Sequence, residues 1–195
     1  MHQQLIDHIR QLANINDEEA EKIVAAFHLK DLNRKEFLLK KGDPSHHMRF
    51  ITAGCLKVFT VSEDGTERIL QFGMSGWWVN DLYGYLTEQS SSYFIQAITN
   101  SSVLQIHRDR LNELFDEIPG LDRFWRIKFQ NAYIALQERT MKLMSETAEE
   151  RYLRFIQDYR SMEQHIPQYM IASYLGVTPQ HLSAIRKKMS RNHLS

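Results

Sequence analysis

QYMIASYLGVTPQHLSAIRKK, from Gln168 to Lys188, is the stretch on which the reading of this chain turns. Pro167 precedes it, where a missing N–H costs little because the first N–H groups of a helix have no intrahelical partner. Ile171, Ala172 and Leu175 supply an inward helix face, and Ala172 is small enough to admit a close neighbouring helix. Gly176 can take the left-handed conformation that turns the chain, and Val177 plugs the corner. Thr178 caps a second helix, Pro179 occupies its first position, and Leu182 and Ile185 face inward. Two short helices joined by such a turn make a helix-turn-helix.

Charge points the same way. The whole chain has a formal net charge of zero, with 24 basic and 24 acidic side chains. Its last acidic residue is Glu163, and beyond it stand Arg186, Lys187, Lys188 and Arg191, so that segment is basic while the rest is acidic. A phosphate backbone is attracted to one end and repelled elsewhere, which orients the protein on DNA. The outward residues of the second helix, Pro179, Gln180, Ser183, Ala184 and Lys187, would meet the major groove. Gln180 can pair with an adenine edge, and Ser183 with a base or a phosphate. Thr178 lies at the same end, and Arg186, Lys187, Lys188 and Arg191 are suited to phosphates.

Upstream, Thr147 and Glu150 form a capping box that opens a segment with Tyr152, Phe155, Ile156 and Tyr159 on one face. Before it, 120–144 contains no Gly or Pro beyond its first residue and predicts a helix on the order of 35 Å long. Ile127, Ile134 and Met141 recur every seven positions, as do Phe129, Leu136 and Leu143, on nearly opposite sides. One stripe can pack on its own domain, and the other suits the same helix of a second copy. Ser145 to Thr147 then forms a hinge.

From about Leu32 to Ile106 the period is that of strands. Arg49 to Ile51, Leu56 to Val61 and Arg68 to Phe72 are separated by Gly42-Asp43-Pro44, Ala53-Gly54, Asp64-Gly65 and Gly73 to Gly76. Asp64-Gly65 suits the positive φ angles of a tight hairpin. Asn80 to Leu86 allows a helical turn or two. Near the start, Asn16 and Glu19 cap a helix expected over 17–27. The fold class is therefore α+β: an N-terminal antiparallel β-roll, or jelly roll, with flanking helices, a long dimerisation helix and a small C-terminal helix-turn-helix domain. The expected division is 1–119, 120–146 and 147–195.

Composition excludes several alternatives. Hydrophobic residues make up 43% and charged residues 25%, without a run near the roughly 20 apolar residues that span a bilayer. A soluble, cytoplasmic protein without membrane contact is expected. Cys55 is the single cysteine, which rules out a thiolate-ligated cluster and suits a small buried strand residue. His46 and His47 are adjacent in a strand, so they point to opposite faces, and surface positions are expected. No metal, cofactor or catalytic site is expected; a jelly-roll metalloenzyme usually needs a His-x-His pair, which the chain lacks. A sensor of this fold acting on protein partners is the remaining alternative.

A β-roll, a long helix, a hinge and a C-terminal helix-turn-helix, in that order, resemble the cyclic-AMP receptor protein and fumarate-nitrate regulator family. The residues that carry the resemblance are Ile171 to Ile185 and the markers Gly42-Asp43, Gly54 and Asp64-Gly65. It implies a symmetric dimer on double-stranded DNA, seamed by Ile127, Ile134 and Met141 or by Leu136 and Leu143. It also implies RNA polymerase as a further partner and a small-molecule effector in the β-roll. In members that bind cyclic AMP a Gly-Glu pair holds the ribose and an Arg-Ser pair the phosphate. Here those positions align with Asn80-Asp81 and Ser91-Ser92, and Trp78 stands beside them. The arginine is absent, so cyclic AMP is not the expected effector. Trp77, Trp78, Tyr83, Tyr85, Tyr93 and Phe94 either fill this region as core or line a site for a planar ligand. Seven residues follow Lys188, too few for the two-stranded wing of many members.

Overall fold

The computed structural model describes residues 1–159 and 166–192, with side chains through residue 190. Helices α1 (His2–Arg10) and α2 (Asp17–Ala26) come first. Strands β1 (His28–Leu32), β2 (Phe37–Leu39), β3 (His47–Ala53), β4 (Cys55–Val61) and β5 (Glu67–Met74) follow. Next are α3 (Leu82–Thr87), β6 (Phe94–Ala97), β7 (Ser101–His107), α4 (Arg108–Glu117) and α5 (Pro119–Ser145). The last helices are α6 (Ala148–Asp158), α7 (Gln168–Leu175) and α8 (Pro179–Asn192). By contacts the chain divides into two compact units, Met1–Thr60 with Leu70–Ala132, and Val61–Ile69 with Tyr133–Ser195.

The strands form two sheets, ordered β1-β7-β3 and β2-β6-β4-β5. Strand alternation sends Ile51, Val103 and Leu32 of the first sheet into one apolar core with Leu56, Val58, Ile95 and Ala97 of the second. The other face of β3 and β7, with Met48, Phe50, Leu104 and Ile106, packs in a second core with Leu5 and Ile9 of α1, Ile23 of α2, Leu111 of α4 and Phe124 of α5. Phe50 and Phe124 are fully buried, and truncating either to alanine removes about 3–5 kcal/mol. At Gly54 a Cβ would collide with Ser101 Oγ and the Asn100 carbonyl, and φ is +84°, so only glycine joins β3 to β4 without strain.

The expected helix at 17–27 is α2, with the Asn16–Glu19 capping box formed in both directions. The segment expected over 120–144 is α5. The hairpin differs from expectation in one respect. Gly65 carries a positive φ of 80°, but Asp64 instead accepts hydrogen bonds from Thr66 N at 3.0 Å and Ser62 Oγ at 2.8 Å. The loop is therefore longer than a two-residue turn, closing through Ser62 N to the Thr66 carbonyl at 3.0 Å.

Candidate nucleic-acid interface and sensor residues

The C-terminal helices are fixed locally before they are fixed by packing. Thr147 Oγ1 accepts from Glu150 N while Glu150 Oε2 accepts from Thr147 N, so α6 begins where the capping box places it. Tyr152 and Phe155 of α6 are buried together with Tyr159 and Ile166. Gly176 ends α7 with φ 70°, and Val177 N donates to the Ala172 carbonyl at 3.0 Å, which closes the helix through the turn. Val177 is half-buried. Thr178 Oγ1 accepts from His181 N at 3.2 Å, capping α8. Ile171, Ala172, Leu175, Leu182 and Ile185 are buried and hold the two helices together.

The same helix presents Pro179, Gln180, Ser183, Ala184 and Lys187 as exposed residues, and Thr178 is exposed beside them. Lys188 is exposed too, but its Nζ lies 2.7 Å from Glu149 Oε2 on α6, a pairing that sequence reasoning missed. The signal was the excess of acid in the first turn of α6, Glu149 and Glu150. Arg186 is half-buried. The Arg191 side chain lies outside the described residues. Arg151 of α6 braces the turn: its Nη1 donates to the Glu146 carbonyl at 2.6 Å and its Nε to the Leu175 carbonyl at 3.2 Å. Ser173 of α7 donates to the Glu67 carbonyl at 2.9 Å and accepts from Ile69 N at 3.0 Å, tying the hairpin segment into the same unit.

The residues expected in the β-roll pocket do not share one environment. Trp78 turns away from it: its ring lies 5.2 Å from Phe50, 6.0 Å from Phe124 and 4.5 Å from Trp125, in the core beneath the helices. Of the two readings kept for Trp78 the core one matches this packing, because Trp78 bridges Phe50, whose side chain points outward from the roll. Asn80 Oδ1 accepts from Arg49 N at 2.8 Å. Asp81 is 1% exposed and caps α3, accepting from Gly84 N at 3.0 Å, while its Oδ2 has no partner. Ser91 is buried and its hydroxyl is spent on the Tyr93 backbone, whereas Ser92 is exposed. A surface groove of about 480 Å³ lies elsewhere, lined by Arg10, Ala13, Asn14, Ile15 and Arg123.

The aromatic residues do not form one cluster. Tyr85 is buried, Phe94 stacks on Phe59 at 5.2 Å, and Tyr83 is 60% exposed. Cys55 is buried, which pushes its thiol up to about 12 and suppresses thiolate chemistry. His46 and His47 are half-buried rather than on the surface, and both rings lie near His107, at 5.6 and 5.1 Å. The pair projects from the end of β3, where β7 brings a third imidazole alongside. Among the described residues no group of three or more His, Cys, Asp or Glu is arranged to hold a metal.

On α5 the first turns are covered: Leu121, Phe124 and Trp125 are buried, and Phe129 packs against the same core. Ile127 is half-buried. From Tyr133 onward both apolar stripes are open, with Ile134 50%, Leu136 62%, Met141 66% and Leu143 47% exposed. Among the described residues no helix is long and apolar enough to cross a membrane.

The architecture is thus a two-sheet roll followed by a long helix and a helix-turn-helix. The cyclic nucleotide-binding domain family matches residues 29–117. The chain is 27% identical to electron transport regulator A of Shewanella oneidensis over 178 residues, covering 85% of this chain and 70% of that protein. It is 27% identical to the transcriptional activator protein anr of Pseudomonas aeruginosa over 177 residues, covering 84% and 70%. In structure it is similar to FixK2 of Bradyrhizobium japonicum, with TM-score 0.72, 19% identity and 86% of each chain covered. It is also similar to the c-di-GMP-responsive global regulator CLP of Xanthomonas campestris, with TM-score 0.73, 15% identity and coverage of 92% and 94%. The chain is thus similar, over most of its length, to regulators of the anaerobic and electron-transport type, and it shares their fold. The relatives named here are regulators by name, one of them a transcriptional activator.

Proposed function

We propose that the chain regulates transcription as a homodimer that inserts α8 into the major groove of a roughly palindromic site. The observation that carries this reading is the exposed row of Pro179, Gln180, Ser183, Ala184 and Lys187 on a helix whose other side, Leu182 and Ile185, is buried. In this reading Gln180 and Ser183 read base edges and Thr178, Arg186, Lys187, Lys188 and Arg191 hold phosphates. Residues 1–119 sense, 120–146 dimerise and hinge, and 147–195 bind DNA. The open stripes of α5 support the dimer seam, with Ile127, Ile134 and Met141 on one side and Leu136 and Leu143 on the other. The protein works in the cytoplasm and meets RNA polymerase at its promoters. Its effector is not cyclic AMP, since Ser91 and Ser92 supply no cation for a phosphate.

Selection of the full chain on a random duplex library tests the proposal. An enriched two-fold motif is expected. Gln180→Ala should relax one position per half-site, at about 1–3 kcal/mol of discrimination. Lys187→Ala should weaken all sequences alike and flatten the salt dependence. An absence of enrichment would turn the reading toward a sensor acting on protein partners.

A further inference from the structure

The inward face of the β1-β7-β3 sheet changes character along its length. Ile51 lies opposite Val103, and both belong to the apolar core of the roll. Two residues along, on the same face, Arg49 lies opposite Gln105, and Gln105 lies opposite His28. Beyond them His47 lies opposite His107, and Lys30 shares the face through its pairing with Val103. None of these six positions carries a carboxylate, and the face opens to solvent at His28 and His107.

Arg49 sits at the foot of this basic stretch, 3% exposed. Its Nε has no hydrogen-bond partner, and its Nη1 reaches only the His47 carbonyl, at 3.3 Å. Asp81 faces it and favours its charge, yet Asp81 spends Oδ1 on Gly84 N and leaves Oδ2 unbonded. A buried guanidinium without a bonded anion is costly. The rings of His47 and His107 are 5.1 Å apart, and the Arg49 charge acts on His47. Burial, then the charges of Arg49, His107, His46 and Lys30, hold His47 down to about 4. Nearby, Arg108 bonds His46 Nδ1 at 3.1 Å and Asp109 lies 3.4 Å from His107 Nδ1.

We propose that this face is a binding site for a small, multiply charged oxyanion, a phosphate or a dicarboxylate, held by Arg49, His47 and His107. An anion there supplies the acceptor that Arg49 Nε lacks and replaces mutual repulsion among the basic groups with attraction. The ligand is small because Arg49 is buried, out of reach of a protein surface or a nucleic-acid backbone. Binding draws a proton onto His47, which burial and its basic neighbours otherwise keep neutral, so affinity rises as the pH falls. The site does not depend on the DNA-binding reading, and its test contains no DNA.

Calorimetric titration of the full chain at constant chloride tests it, with sulfate, inorganic phosphate and succinate as probes. Sulfate stays dianionic throughout, so its pH dependence reports the protein alone. Saturable binding of sulfate is expected, tightening by about tenfold between about pH 7.5 and 5.5 with proton uptake. Tighter binding of phosphate than of succinate assigns a phosphate-bearing ligand, and the reverse order a dicarboxylate. Arg49→Met should lose about tenfold or more in affinity. His47→Gln, at a half-buried position, should flatten the pH dependence, and His107→Gln, at a side chain 42% exposed, should weaken binding. Absence of saturable binding by all three probes, or binding that all three variants leave unchanged, would overturn the proposal.

Discussion

Lys188 Nζ lies 2.7 Å from Glu149 Oε2, so one of the basic side chains of α8 is held by the first turn of α6. The two side chains are 63% and 34% exposed, and a pair this open to water contributes roughly 0–1 kcal/mol. Competition with a phosphate is therefore close to even. Glu149→Gln releases Lys188 and removes a negative charge from the DNA-facing unit. Tighter binding to every sequence is expected, by about 0.5–1 kcal/mol, with a salt slope steeper by about one phosphate. Fluorescence anisotropy at several salt concentrations measures both quantities, and an unchanged slope would mean that Lys188 stays away from the DNA.

The open stripes of α5 give the second prediction. Leu136 and Leu143 lie on one side of the helix and Ile134 and Met141 on the other, all about half exposed or more. A carboxylate placed in a closed helix seam costs about 3–5 kcal/mol, enough to dissociate a dimer at micromolar concentration. Sedimentation of Leu136→Glu, Leu143→Glu and Ile134→Glu should yield monomers for the stripe that forms the seam and dimers for the other. Dimers from all three variants would place the seam elsewhere.

Much of this architecture was legible because it is written in local chemistry. Asn16-Glu19 and Thr147-Glu150 fix helix starts through their own side chains, and Gly176 fixes a stop through its φ of 70°. Residues 168–188 could be read without knowing what surrounds them. The β-roll interior could not. In HMRFITA, Met48 and Phe50 alternate with Arg49 and Ile51, and hydropathy does not reveal that the face holding the arginine is the inward one. Trp78 illustrates the converse: an alignment position beside the pocket says nothing about which way the ring turns. For the contact of Lys188 with Glu149 the acidic first turn of α6 supplies one half of the signal, and nothing local names the partner across 39 residues.

Acid should weaken the first unit through His8. Its ring lies 5.3 Å from Phe50 and 5.8 Å from Phe124, and its Nε2 is 3.2 Å from Lys128 Nζ. Burial, then the Lys128 charge, lowers its pKa from 6.5 to about 4. In that window the unfolded chain binds a proton that the folded chain refuses, so stability is full above about pH 6.5 and is lost as the pH falls toward 4. His8→Gln removes the titrating group and should flatten this loss. Thermal unfolding followed by the emission of Trp77, Trp78 and Trp125, all in the first unit, measures it at several pH values. An equally steep acid loss in the variant would assign the effect to another group, with His47 the next to test because its pKa is lowered in the same direction.

Cyclic AMP is expected not to bind, and the reasons lie in Ser91, Ser92 and Arg49. Ser91 Oγ is occupied at 3.1 Å by both the carbonyl and the N–H of Tyr93, and Ser92 points to solvent, so neither offers charge to a cyclic phosphate. Charge-assisted hydrogen bonds are roughly twice as strong as neutral ones, and a bidentate guanidinium supplies two of them. Arg68 is exposed on the hairpin, whereas Arg49 is buried facing Asp81, which leaves Arg49 as the cation able to substitute. Calorimetry of the full chain with cyclic AMP and cyclic GMP should therefore give no saturable heat near micromolar concentration. Micromolar binding that disappears in Arg49→Met would reverse the prediction and give Arg49 the phosphate-binding role, and binding that survives in Arg49→Met would require a cation outside the β-roll face.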